Sequence, residues 1–108
     1  MDALFDSQIA RLTEAHFLIL YWATQAEGRK ARYNITNCFD DLKHCGITRT
    51  KQTAVAAVDT LAVLCFIEVR DEGARKNLYI THHGALALEA LVLHHAYPQR
   101  SSAFLEGL

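Results

Sequence analysis

The chain has 108 residues, 51% hydrophobic and 21% charged, with one proline and five glycines, enough for one domain of helix-rich globular type. No apolar run approaches the roughly eighteen residues that a membrane-spanning helix needs, and a net charge of -1 argues against a general binder of polyanions. Three cysteines at no framework spacing point away from a disulfide scaffold and toward a reducing, cytoplasmic setting, and no signal-peptide pattern opens the sequence.

The first predicted helix covers about residues 7–26. Its apolar positions Ile9, Leu12, Phe17, Leu20 and Ala23 recur at helical spacing, and the segment "HFLILYW" is apolar nearly all round, so this helix should be buried on more than one side. Gly28 is the expected stop. A basic cluster follows, Arg29, Lys30 and Arg32, readable equally as phosphate neutralisation or as plain loop charge. The second helix spans about 35–45, capped by Asn34 or Thr36. Cys38, Leu42 and Cys45 should line its inner face, with Asp40 and Asp41 exposed. Gly46 ends it.

The third helix spans about 49–64, with Thr48 or Thr50 as its cap. Ala54, Val58, Leu61 and Cys65 form its inner stripe, while Lys51, Gln52, Val55, Ala56 and Asp59 fall away from it. A hairpin of two short strands is expected over about 66–81, turning at Gly73. The last helix covers about 82–96, stopped by Pro98, and residues 97–108 read as a loosely held tail. The fold class is therefore mainly α with a small β-hairpin, in a single domain.

Charge is segregated along this order. Residues 29–51 carry Arg29, Lys30, Arg32, Lys43, Arg49 and Lys51 against Asp40 and Asp41. Residues 1–28 carry Asp2, Asp6, Glu14 and Glu27 against Arg11. One face of a nearly neutral molecule can thus be locally basic.

Three stretches, in this order and spacing, resemble a winged helix-turn-helix domain over roughly residues 8–96. "GITRTKQTAVAAVDTLAVLCFIEVR" is similar to the turn, recognition helix and first wing strand of these proteins. "DEGARKNLYIT" is similar to their charged wing and returning strand. "ITHHGALALEAL" resembles the strand-into-helix segment of MarR-type regulators, where a Thr, two variable residues and a Gly open the last helix. The family usually has Gly where Cys65 stands, because the chain leaves the helix in a left-handed conformation there. Cysteine carries a backbone penalty in that role, so a differently built turn is expected. The long additional helix of full MarR-type chains is also missing from the first residues.

The resemblance implies a three-helix core, a wing and a C-terminal helix, and a sequence-specific duplex-DNA-binding transcriptional regulator. Its recognition helix would enter the major groove with Arg49, Thr50, Lys51, Gln52 and Thr53 foremost. Lys51 suits guanine or a phosphate, and Gln52 suits adenine. The wing residues Arg70, Arg75 and Lys76 would follow the backbone or minor groove. The plain alternative is that Thr50 only caps its helix while Lys51, Gln52 and the hairpin charges are solvated surface. A reading from another class is a winged helix that docks protein, within a nucleic-acid-associated or mobile-element complex. Acidic side chains among Thr50, Lys51, Gln52 and Arg75 would favour it.

Cys38, His44, Cys45, Cys65 and the pairs His82-His83 and His94-His95 show no close metal-ligand spacing, so no metal and no cofactor is expected. No phosphate loop, GxSxG, HExxH or paired-carboxylate arrangement is present, so no enzymatic activity is expected. Leu86, Leu88, Leu91, Val92 and Leu93 give the last helix more apolar surface than one side needs, which predicts a homodimer through the terminal helices.

Overall fold

The computed structural model describes residues 2–95 and 97–108. The elements run in the order α1 (Ala3–Ala10), α2 (Glu14–Gly28), α3 (Ile35–His44), α4 (Lys51–Val63), β1 (Ile67–Glu72), β2 (Arg75–Ile80), α5 (His82–His95) and α6 (Ala103–Glu106). The architecture is mainly helical with one antiparallel hairpin between helices, a winged-helix-like topology, as the sequence pattern implies. No helix among the described residues is long and apolar enough to cross a membrane.

The core forms around α2, which packs against α3, α4, α5 and β2. Phe17, Leu18, Ile19 and Leu20 are buried in succession, and Trp22 and Ala23 join them. That is what an all-round apolar helix requires, since every side must find a cover.

The single helix expected over 7–26 is instead two. Thr13 adopts an extended conformation and starts α2 afresh. His16 Nδ1 accepts from the Thr13 backbone N–H at 2.9 Å, a reciprocal cap that satisfies an otherwise orphaned donor. The periodicity runs through this break because Ile9 and Leu12 before Thr13 and Phe17 after it are all buried. The stop after α2 also differs. Gly28 remains helical, and Lys30 takes the left-handed conformation at φ 55°.

In the hairpin Ile67 pairs with Ile80, Val69 with Leu78 and Glu72 with Arg75. The connection from Ala31 to Asn34 adds a strand-like edge. Leu78 N donates to Tyr33 O at 2.8 Å, and Asn34 bridges Asn77.

The joint between α4 and the hairpin explains the Thr-x-x-Gly pattern physically. Cys65 adopts φ 63°, so the left-handed turn is kept and the cysteine bears its cost, contrary to expectation. Cys65 is accordingly exposed rather than part of the buried stripe, which consists of Ala54, Ala57, Val58 and Leu61. Thr81 Oγ1 donates to Cys65 O at 2.6 Å and accepts from Gly84 N at 2.9 Å. A Cβ at Gly84 would lie 1.8 Å from Phe66 O, so only glycine lets α5 start this close to β1.

Residues 97–108 are not a loose tail. Trp22 Nε1 donates to Arg100 O at 2.8 Å, Arg29 Nη1 donates to Leu105 O at 2.9 Å, and Ser102 and Leu105 are buried. Their seat includes Asp41, which is 1% exposed rather than solvated. Polar composition hid both facts, because a buried carboxyl group is stable only where donors from distant parts of the chain converge.

Candidate nucleic-acid interface

Thr50 is the cap of α4. It is extended, and its Oγ1 accepts from Thr53 N at 3.2 Å. The Thr50 and Thr53 hydroxyls also bond each other at 2.9 Å. Both oxygens therefore have a structural role before any ligand arrives. Beside them, Arg49, Lys51 and Gln52 are exposed at the free end of a helix clamped by its buried stripe. Ala56 is exposed too, and its small side chain leaves room for close approach.

Lys51 opens onto a cleft of ≈ 900 Å³ between the start of α3, the outer face of α4 and the hairpin. Thr36 and Asn37 come from α3, Lys51 and Asp59 from α4, and Arg75 and Lys76 from the hairpin. Val55, Ala62 and Val69 supply an apolar part of the lining. Lys51 Nζ donates to Thr36 Oγ1 at 3.2 Å, tying α4 to the start of α3 across the cleft. Asn34 caps that start: its Oδ1 accepts from Asn37 N at 2.8 Å. Thr36 and Asn37 were not among the expected site residues. Their only signal is the Asn34 cap, which places them in a first turn without saying what faces it.

The hairpin sorts its charges by face, because strand side chains alternate. Val69 and Lys76 share the face that belongs to the cleft, and Arg75, on the other face by alternation, lines the cleft from the turn end. Arg70 projects from the opposite face to its neighbour Val69, bonded to Glu68 Oε1 at 2.6 Å and lying 4.2 Å over the Tyr79 ring. The structure does not bring Arg70 to the cleft. Glu72 accepts from Asn77 Nδ2 at 2.7 Å and from the Tyr79 hydroxyl. The Tyr79 bond, then the Asn77 bond, holds the Glu72 carboxyl below its ordinary range, and the Glu72 bond pushes the Tyr79 hydroxyl up.

Among the described residues, the ion pairs are Arg70 with Glu68 and Arg100 with Glu14. Lys51, Arg75 and Lys76 are in neither, so three exposed cations around one cleft are not neutralised by direct contact. Their field is moderated nonetheless. Asp59 lines the same cleft, and Asp71 and Glu72 stand across the register from Lys76 and Arg75.

The cluster Arg29, Lys30 and Arg32 is dispersed. Arg29 reaches the C-terminal segment. Lys30 is exposed in its left-handed turn, and Arg32 is an electrostatic neighbour of Glu72 and Tyr79.

The apolar residues of α5 divide as well. Leu91 is 0% exposed and Leu88 is half-buried, both packed in the protomer's own core. The inner stripe is Gly84, Ala87 and Leu91, so Leu91 is not available to a second copy. Leu86, Val92 and Leu93 are exposed, Leu93 at 72%. The expected end of this helix, Ala96, lies outside the described residues.

The cysteines are free. Cys38 is buried, Cys45 half-buried, and burial pushes both thiols up, most strongly at Cys38. That makes them poor thiolates and small hydrophobes. No group of three His, Cys, Asp or Glu side chains among the described residues is arranged to hold a metal ion. No family model, curated protein or solved structure matches this chain.

Proposed function

We propose that this is a winged helix-turn-helix protein that binds duplex DNA and regulates transcription, without catalysis or a resident cofactor. The first turn of α4 would enter the major groove with Arg49, Lys51 and Gln52 foremost, and Arg75 and Lys76 would follow the sugar–phosphate backbone or minor groove. The observation that carries the reading is the convergence of Lys51, Arg75 and Lys76, exposed and in no ion pair among the described residues, on one cleft of a winged-helix-like topology. A duplex offers about one negative charge per 1.7 Å of axis, so even a modest cationic ridge gains from releasing counterions.

A second copy would pair through the exposed face of α5. Leu86 and Leu93 are seven residues apart, two helical turns, and lie on one stripe opposite the buried one. A homodimer of that kind would offer two recognition helices to a two-fold site. A monomer at micromolar concentration in sedimentation would count against this pairing.

One observation favours a protein-docking module instead: Asp59 and the apolar Val55, Ala62 and Val69 share the cleft with the cations. Fluorescence anisotropy with a random-sequence duplex at about 50 and about 200 mM salt separates the two readings. DNA binding that falls steeply with salt and weakens in Lys51→Ala/Arg75→Ala supports the first. Absence of binding at the lower salt supports the second.

A further inference from the structure

We infer that the C-terminal segment 97–108 is a strap that sets the geometry of the cleft from inside the protein, through Asp41 and Tyr33. The cleft's role in binding DNA rests on the reading above; the mechanical coupling does not.

The strap is fastened by polar bonds and by packing of Leu105, Tyr97 and Phe104 on the core. The ring of Tyr97 packs against Phe17 at 5.6 Å, and the Arg100 carbonyl takes the Trp22 indole N–H. Ser102 Oγ then donates to Asp41 Oδ2, and Phe104 N donates to Asp41 Oδ1 at 3.1 Å. Ser102 also accepts from Leu105 N at 3.1 Å and so starts α6. A helix of one turn does not hold itself together in water. The folded strap therefore depends on the carboxyl group beneath it.

Asp41 has a third donor, and it leads to the cleft. Tyr33 OH donates to Asp41 Oδ2 at 2.5 Å, and its ring lies 5.9 Å from that of Phe104. Burial pushes the Tyr33 hydroxyl up, with smaller contributions from Cys38 and Asp41, so it serves as a fixed donor. The Tyr33 carbonyl accepts from Leu78 N in β2 at 2.8 Å. The next residue, Asn34, caps α3 and bridges Asn77. One residue pair thus receives the strap on one side and positions two walls of the cleft on the other: the start of α3 and the hairpin bearing Arg75 and Lys76.

A short terminal element held by a few bonds opens at lower free energy than the core. When the strap lifts, Asp41 keeps a single donor, Tyr33, and loses the Phe104 ring beside it. The Tyr33–Asn34 edge is then the least restrained part of the cleft. Whatever captures residues 97–108 acts on the cleft without touching it.

The test uses the full chain with Ser102→Ala, which removes one donor to Asp41 and the start of α6. Ile9→Ala, in α1 and away from this path, serves as the control for general destabilisation. Amide hydrogen exchange is read at Leu78 and Asn37, against the amides of α2 in the same sample. The expected result is exchange at Leu78 and Asn37 faster by about tenfold in Ser102→Ala, with no such local change in Ile9→Ala. Adding Tyr33→Phe should abolish the extra effect of Ser102→Ala at Leu78, because the connecting bond is gone. If Leu78 and Asn37 merely track the α2 amides in Ser102→Ala, or respond equally to Ile9→Ala, the coupling is refuted. Duplex binding measured on the same variants should weaken with Ser102→Ala, and unchanged binding despite faster exchange would remove the strap's control of the cleft. Failure of the wild type to bind duplex at all would fall on the DNA reading, while the exchange data still decide the coupling.

Discussion

The two ends of α3 carry polar side chains in opposite circumstances. At its start, Thr36 and Asn37 face an open cleft with Lys51, Arg75 and Lys76, and these cations are exposed and in no ion pair among the described residues. Near its other end, Asp41 is buried and receives bonds from Tyr33, Ser102 and Phe104. A saturated buried group is structural: its partners are used up, and removing it strands them. Groups left exposed around a concavity cost little to keep and are available to a ligand. The contrast locates the candidate site by bonding as well as by charge. Arg29 and Arg70 are tied to a carbonyl and a carboxylate away from the cleft. Lys51 makes one exposed bond, to Thr36 within the cleft.

The largest expected effect comes from breaking the saturated end. Asp41→Ala leaves the Tyr33 and Ser102 hydroxyls and the Phe104 N–H without an acceptor and should cost about 3 kcal/mol or more. The urea midpoint would fall accordingly; a shift equivalent to less than about 1 kcal/mol would mean that water replaces the carboxyl group.

A smaller change, opposite in sign, is expected where α4 leaves for the hairpin. Cys65→Gly relieves a left-handed residue and should stabilise by about 1 kcal/mol, less the greater entropy of glycine in the unfolded chain. Thermal unfolding would show it as a rise in Tm, and a fall would mean that the Cys65 side chain contributes packing that outweighs its backbone cost.

The start of α2 also carries a pH dependence. Burial lowers the His16 pKa below its ordinary 6.5. Its Nδ1, moreover, accepts the Thr13 N–H, which the doubly protonated ring cannot do. Because the folded pKa lies below the unfolded one, this contribution is complete above about 6.5 and is lost as pH falls through the folded value. Unfolding free energy measured across that window should decline for the wild type and decline less for His16→Gln. Parallel curves would assign the slope to other groups.

At the open end the same measurement should register almost nothing. Lys51→Ala/Arg75→Ala removes exposed side chains and should change stability by less than about 0.5 kcal/mol, even while it weakens duplex binding and flattens the salt dependence. Stability lost in step with binding would erase the distinction between the two ends of α3.

Much of this molecule is legible along the chain. The Thr81–Gly84 opening of α5 follows from the winged-helix resemblance. The buried all-round α2, a threonine cap for α4 (Thr48 or Thr50) and the turn at Gly73 follow from local rules of period, cap chemistry and turn glycine. The exposed cations Lys51, Arg75 and Lys76 were legible for the same reason, since each sits beside a recognisable turn or helix start. The cleft that gathers them was not. Thr36 and Asn37 enter it because α3 and α4 cross where the hairpin folds back, and nothing within either helix states that crossing.

What the sequence by itself determined is therefore the order and type of the elements from α2 to α5, and which faces of α2 and α4 seek the core. Hydrophobic spacing and end signals act over one or two turns of chain, and they decide these matters before any long-range contact forms. Only the tertiary structure decided that Asp41 is buried, that Arg29 serves the strap, that Arg70 turns away from the cleft, and that Leu91 belongs to the protomer's own core. Each of those outcomes depends on what arrives from elsewhere in the chain. For Asp41 it is a hydroxyl from position 33, another from position 102 and an N–H from position 104; without such donors a carboxyl group remains in water.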